Sequence, residues 1–219
     1  MDFNIAIDGP AGAGKSTVAR IIAEKLNMTY IDTGAMYRAI TLLAIRHNKR
    51  DVKDIIELAN QAQIKLSKGS IYINDEDVSD AIRSVDVNSE VSKIARIPEI
   101  RLAMVQLQRE MAKNKGVVMD GRDIGTTVLP DAKYKFYLTA NVKERALRRH
   151  REMLAKGEKV TLEDIEKEII RRDHQDTNRD LSPLKAAEDS IIIDTTDKTV
   201  QQVVEDIINI VKRGEGIVL

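Results

Sequence analysis

Residues 9–16 read Gly9, Pro10, Ala11, Gly12, Ala13, Gly14, Lys15 and Ser16, which meets every fixed position of the pattern G-x-x-x-x-G-K-[ST]. A chain carrying this string has few folds open to it, because the string forms a site only between a strand and a helix. Both flanks fit. Phe3, Ile5 and Ile7 lie between polar residues or Ala in a short β-prone run before the loop, and 17–26 read as a helix after it. Glycines let the backbone wrap closely round a phosphate, and the helix N-terminus adds roughly half a positive charge at the same spot. Lys15 is then expected to reach the outer phosphates, and the Ser16 hydroxyl to bind Mg²⁺. The loop predicts binding of a nucleoside triphosphate.

Composition narrows the field further. The 219 residues suffice for one substantial core with a small inserted subdomain. Lysine plus arginine equals aspartate plus glutamate at 35 each, and this balance argues against a nucleic-acid binder. Cysteine is absent, which excludes disulfides and thiolate zinc sites, and the three scattered histidines do not suggest an imidazole metal cluster. No apolar run approaches the length of a membrane span, and no signal sequence precedes the first strand. The expectation is a soluble cytoplasmic protein.

Short β-prone runs at 3–8, 29–32, 117–120, 134–138 and 190–194 alternate with helical patterns at 15–26, 34–47, 98–113, 142–155, 162–173 and 200–212. Val117-Val118-Met119 and Ile191-Ile192-Ile193 are apolar without alternation, which predicts strands covered on both faces. Such βα alternation implies a parallel sheet flanked by helices, with ligands at the carboxyl ends of the strands. One stretch, 63–80, breaks the rhythm. Ile64, Leu66, Ile71, Ile73 and Val78 lie in short alternating runs punctuated by Lys68-Gly69 and Asn74-Asp75, the pattern of a small antiparallel meander. The tail at 214–216 is expected to fray.

Charged residues near the strand ends point to an anionic acceptor. Arg38 falls early in a helix, where the helix dipole disfavours a cation unless an anion is held there. Asp120 closes an apolar strand and is suited to organise Mg²⁺ or its waters. Gly121 and Gly125 flank Arg122 and Asp123 in the turn that follows. Leu162, Ile165, Ile169, Arg172, Asp176 and Arg179 share one helical face that starts apolar and turns charged, if the helix continues that far. Arg145, Arg148 and Arg149 form a second cluster whose mutual repulsion a triphosphate would relieve. The run 155–159 suits the tip of a mobile lid.

Four motifs, Gly9–Thr17, 32–38 (Asp-Thr-Gly-Ala-Met-Tyr-Arg), 120–126 (Asp-Gly-Arg-Asp-Ile-Gly-Thr) and 171–179 (Arg-Arg-Asp-x-x-Asp-x-x-Arg), together resemble the bacterial cytidylate kinase family over nearly the whole chain. The resemblance implies a P-loop NTPase fold of the α/β class: a parallel sheet flanked by helices, with an antiparallel insertion in the monophosphate-binding region and a helical lid. It implies one kinase domain made of a core (about 1–32, 115–145 and 180–219), a monophosphate-binding region (about 33–114) and a lid (about 146–179). ATP and CMP or dCMP are the implied substrates, Mg²⁺ the cofactor and a monomer the default.

Carried over by position, the donor site comprises Gly9, Pro10, Ala11, Gly12, Ala13, Gly14, Lys15, Ser16 and Thr17, and the metal falls to Ser16 and Asp120. Whether Asp120 or Asp123 organises the metal's shell stays open. Arg38 and Arg122 resemble clamps on the CMP phosphate, while Ser92, Arg101 and Asp123 resemble the cytosine contacts. Arg172, Asp176 and Arg179 resemble the group near ribose and phosphate, and Thr33 stands where some members carry serine. Lys15, Arg122, Arg145 and Arg149 would stabilise the transferring phosphoryl group. Ser92 and Arg101 rest on the resemblance alone, yet the chemistry is coherent: aspartate accepts from the cytosine amine, and arginine and serine donate to O2 or N3. Phosphoryl transfer to an anionic oxygen needs no general base, and His174 is expected to be an ordinary surface side chain. Two other readings stand beside this one. They are a P-loop kinase for a different small acceptor and a nucleotide switch.

Overall fold

The computed structural model describes residues 1–67, 69–155 and 157–216. Lys68 of the expected turn and Lys156 of the expected lid tip lie outside them. In chain order the elements are β1 (Ile5–Asp8), α1 (Lys15–Lys25), β2 (Thr29–Asp32), α2 (Thr33–Arg46), α3 (Val52–Gln61), β3 (Ile64–Ser67), β4 (Ser70–Ile73), β5 (Glu76–Asp77), α4 (Val85–Ile94) and α5 (Pro98–Met111). They continue with β6 (Val117–Gly121), β7 (Tyr134–Thr139), α6 (Val142–Ala155), α7 (Leu162–Thr177), β8 (Ile191–Asp194) and α8 (Val200–Gly214). A 3₁₀ turn covers Ala81–Arg83 and a π turn Ile124–Val128.

Two compact units result, one of residues 1–30 and 115–219, the other of residues 31–114. A five-stranded sheet runs in the order β2-β6-β1-β7-β8. β1 lies parallel to β6 and β7, and β7 parallel to β8, with Asp8 level with Gly121 and Tyr137. The turns after β1, β6 and β7 therefore leave the sheet at one edge, where a parallel sheet builds its sites.

The core of the first unit explains why its strands hold. Ile5, Ile7, Val118, Phe136 and Leu138 pack with Val18 and Ile22 of α1 and with Val203, Val204, Ile207 and Val211 of α8. The α8 residues recur at helical spacing, so one face of that helix is apolar. Full burial of side chains of this size stabilises by roughly 1.5–3 kcal/mol each. A second cluster, Ala146 and Met153 of α6 with Ile165 and Ile169 of α7, joins those two helices.

β6 is buried throughout, as its unbroken apolar run predicts. The equally apolar β8 is not. It is the edge strand, with Ile191 42 % and Ile192 64 % exposed and only Ile193 of its run buried. The tail differs too: Gly214 ends α8, and Glu215 accepts a hydrogen bond from the Tyr134 hydroxyl at 2.6 Å and pairs with Lys133 at 2.6 Å.

In the second unit, Asp32 precedes α2 and its carboxylate caps the helix by accepting from the Ala35 N–H at 2.8 Å. The expected meander is the antiparallel sheet β3-β4-β5, with Ile64 opposite Ile73 and Leu66 opposite Ile71. α3 was not expected from the sequence, although its apolar Ile55 and Ala59 fall four apart and are buried. Among the described residues, no helix is long and apolar enough to cross a membrane.

Candidate active site

The loop after β1 is shaped by two close approaches. A Cβ on Gly9 would lie 2.0 Å from the Leu138 carbonyl oxygen of β7, and Gly9 also has φ +146°, so no other residue fits. A Cβ on Gly12 would come within 3.1 Å of the Arg145 backbone. Pro10 and Ala11 lie between these glycines, and Ala13 between Gly12 and Gly14. Gly14, left-handed at φ 83°, is the N-cap of α1 and has no side chain to fold over the first-turn N–H groups of Lys15, Ser16 and Thr17. That geometry leaves a cradle of N–H donors whose positive polarity complements a phosphate.

Lys15 is buried, and its ammonium donates to the Pro10 carbonyl at 2.7 Å. Burial lowers its pKa to about 7; Arg122 pushes in the same direction, and Asp120 and Asp8 oppose it. The Ser16 hydroxyl donates to Asp120 Oδ2 at 2.8 Å, and the Tyr30 hydroxyl donates to Asp120 Oδ1 at 2.8 Å. The structure thus joins the two expected metal-binding residues directly. A hydroxyl beside a carboxylate is a donor set of hard oxygens, which suits Mg²⁺.

Behind β6 the charges interlock. Arg122 Nε donates to Asp176 Oδ2 at 2.9 Å, and Arg179 lies 3.9 Å from Asp176 Oδ1. α7 does continue past 173, but it stops at Thr177 with Asn178 as C-cap. Arg172 and Asp176 are therefore helical, whereas Arg179 lies beyond the helix end and is held by donation to the Ser182 carbonyl at 2.9 Å. Burial alone would raise the Asp176 pKa, but Arg122, Arg179 and Arg172 outweigh it and hold the carboxyl below the ordinary range. For Arg122, burial opposes the charge, while Asp176 and Asp120 raise its pKa above the usual value. Asp123 is buried, and its backbone carbonyl accepts from the Thr127 and Val128 N–H groups.

The arginines of α6 depart from the simple picture of three unneutralised cations. Arg145 is buried, donating to the carbonyls of Ala140 and Ala11 at 2.9 Å each and pairing with Asp173 at 2.6 Å. Arg148 pairs with Glu144 at 3.1 Å and donates to the Thr195 hydroxyl and carbonyl. Arg149 is half-buried and reaches Glu152 at 3.4 Å. Protein carboxylates and carbonyls already balance the cluster, and Arg145 grips the backbone of the glycine loop. His174 is exposed, as expected.

Two carboxylates have roles that the sequence does not assign: Asp173, inside the motif at 171–179, and Asp8. Asp173 accepts from the Ala11 N–H at 3.3 Å and pairs with Arg145, so the loop is held at both faces of one residue. Asp8, the last residue of β1, accepts from Ile124 N–H at 2.8 Å and Gly125 N–H at 2.7 Å. Burial raises its pKa to about 6 against the pull of those two amides, and nearby Asp123 adds to the rise. An aspartate before a glycine loop looks like ordinary turn polarity. Only its register opposite Gly121 could have marked it.

The second unit holds the remaining candidates. Arg38 donates to Asp32 Oδ2 at 3.0 Å, which explains a cation near a helix start: the anion it needs is the cap of its own helix. Thr33 is buried as the first residue of α2. Ser92 is buried on α4. Arg101 of α5 is 2 % exposed, donates to the Ala95 carbonyl at 3.1 Å and has its guanidinium 5.7 Å from the centre of the Tyr37 ring.

The family model described as cytidylate kinase matches residues 5–213. The chain is 51 % identical to the cytidylate kinase of Alkaliphilus oremlandii (strain OhILAs), over 97 % of this chain and 99 % of that one. It is 47 % identical to that of Carboxydothermus hydrogenoformans (strain ATCC BAA-161 / DSM 6008 / Z-2901), over 98 % and 100 % of the two chains. Among solved structures, a shikimate kinase from Acinetobacter baumannii is similar at a TM-score of 0.50 with 18 % identity, covering 97 % of this chain and 94 % of that one, which bears on the fold alone. With a family match across nearly the whole chain and half the residues shared with such relatives over their full length, the chain belongs to the cytidylate kinase family.

Proposed function

We propose that the chain transfers the γ-phosphoryl group of ATP to CMP and dCMP. A phosphate oxygen of the acceptor attacks the γ-phosphorus, the bond from that phosphorus to the β–γ bridging oxygen breaks, and ADP leaves with the electron pair. The observation that carries this reading is the Ser16–Asp120 contact beside Lys15, at the start of α1, which is the arrangement a metal-bound triphosphate requires.

In this reading Gly9 to Thr17 cradle the donor, and Lys15 moves from the Pro10 carbonyl to the outer phosphates. Ser16 and Asp120 hold Mg²⁺, which when bound neutralises charge on the β and γ oxygens. Arg122 and Arg38 are assigned to the acceptor phosphate. Asp176 and Arg179 are assigned to the sugar, with Arg172 beside them. Ser92, Arg101 and Asp123 are assigned to cytosine. Uracil presents O4 where cytosine has its amine, so Asp123 would face an acceptor, and a site with unpaired polar groups rejects such a substrate strongly. Arg145 acts by holding the loop rather than by approaching the phosphate freely, and Arg149 remains assigned to the developing charge. α6 and α7, with their own apolar cluster, are assigned to the lid that excludes water.

The test is ADP release with Mg-ATP against CMP, dCMP, UMP, AMP and no acceptor. Strong turnover confined to the cytidine nucleotides supports the reading. Turnover mainly with AMP or UMP refutes the base contacts, and equal release without acceptor refutes the kinase assignment.

A further inference from the structure

We infer that Asp8 is a positioning residue for the acceptor rather than part of the donor site it adjoins: its carboxylate fixes the turn that directly follows Arg122 and Asp123. The inference rests on the assignment of those two residues to CMP.

The placement is unexpected. Asp8 immediately precedes Gly9, so its neighbours in sequence belong to the donor loop. A negative charge there would repel a triphosphate if it faced the loop. Both oxygens turn away instead, each to one amide: Oδ1 to Ile124 at 2.8 Å and Oδ2 to Gly125 at 2.7 Å. These amides open the π turn, and the turn's own bonds leave them without a partner. Thr127 and Val128 donate to the Asp123 carbonyl, and Leu129 donates to the Ile124 carbonyl. Asp8 thus caps a turn more than a hundred residues away, as the two bonds span 116 and 117 positions.

The cap acts on Asp123 through the backbone. The Ile124 N–H and the Asp123 carbonyl share one rigid peptide plane. Asp8 holds the N–H side of that plane and the π turn holds the carbonyl side, so the Asp123 backbone has little freedom to swing its side chain. The fit at Gly125 is tight as well. A Cβ there would sit 3.2 Å from Lys135 Cδ and 3.4 Å from Asp8 Oδ2. The arrangement keeps a carboxylate in a buried site beside a second one, Asp123, which costs stability. What that cost secures is the register of the turn.

The experiment is steady-state kinetics on Asp8→Asn and Gly125→Ala, with ATP and CMP varied separately and UMP as competitor substrate. Binding of a fluorescent ATP analogue is measured without acceptor. Asparagine keeps one acceptor and sets an amide donor against the other N–H. We expect kcat/KM for CMP to fall by about tenfold, as for loss of one buried hydrogen bond. The preference for CMP over UMP should shrink, and affinity for the ATP analogue should fall by less than kcat/KM for CMP, since Asp8 reaches the donor site only through its charge on Lys15. Gly125→Ala should show the same pattern more weakly, and it decides the question if Asp8→Asn does not fold. Equal losses toward ATP and CMP with the CMP preference intact would overturn the inference, since that is what a merely structural residue gives. A wild-type enzyme indifferent to CMP overturns the acceptor reading itself, and is seen before any variant is made.

Discussion

The candidate site and the exposed surface treat charge differently. In the first unit, the site's ionic groups are pressed on one another: Lys15 is driven down to about 7, Asp8 up to about 6, and the arginines round Asp176 hold its carboxyl below the ordinary range against its burial. In the second unit the Arg46–Glu76 pair is that of an ordinary protein surface, meeting at 2.8 Å with side chains 40 % and 57 % exposed. The candidate site residues there are sheltered instead: Arg38 and Asp32 are 15 % and 13 % exposed, and Arg101 is 2 % exposed. The contrast therefore runs between candidate site residues such as Lys15, Arg101 and Asp176, whose charges are buried at a cost, and a surface pair that is left solvated. Under the proposed function, charge fixed in advance needs no reorganisation as the phosphoryl group transfers.

Removing Lys15 should sharpen this contrast most. Lys15→Met is expected to lower kcat by about 10³-fold or more, the scale of losing a principal charge-stabilising donor, measured by ADP release. The same variant should be more stable than wild type at pH 7. The folded pKa of Lys15 lies below its unfolded value of 10.5, so the unfolded chain binds more protons between pH 7 and 10.5 and wild-type stability rises with pH across that window. The gain from Lys15→Met should therefore be largest near neutrality and shrink toward pH 10 in urea titrations. A gain that does not change with pH would break the account of Lys15.

Next in size is Asp176→Ala, which leaves the partly buried Arg122 without its carboxylate partner and should cost about 1–3 kcal/mol by the same denaturation measurement. In the second unit, Arg38→Ala should raise KM for CMP by up to about 100-fold with ATP affinity unchanged. The cap of α2 should survive, since Asp32 still accepts from Ala35. The smallest effect belongs to Arg46→Ala. An exposed pair of this kind should leave the unfolding midpoint and both KM values where they were. A large loss there would erase the distinction between site and surface.

Much of the molecule could be read from its residues, and the failures have physical causes. Unbroken apolar runs located β6 and β8, since a strand covered on both faces needs such character, whereas β2, Thr29–Asp32, has only Ile31 buried and was placed by its β-prone residues. The same logic misjudged β8, because composition cannot tell a central strand from an edge, and Ile191 and Ile192 lie exposed. The glycine loop was legible because it is contiguous. Arg145 was legible as a cation but not as a clamp, since its partners, the carbonyls of Ala11 and Ala140, are backbone atoms that any sequence supplies. Asp8 was missed for the converse reason. Its partners lie 116 and 117 residues away, and only the register of β1 against β6 brings them near. Arg179 kept its partner although the helix expected to carry it ends at Thr177.

The most direct test of the central claim is a calorimetric titration of ATP into the nucleotide-free protein at pH 8, in two buffers of different ionisation heat. With a pKa of about 7, Lys15 is mostly neutral at that pH, and a triphosphate beside it should restore its charge. The account predicts net uptake of nearly one proton on binding, absent in Lys15→Met. Binding with no proton uptake would mean that the lysine was charged all along, and that the first unit does not hold its charges at a cost.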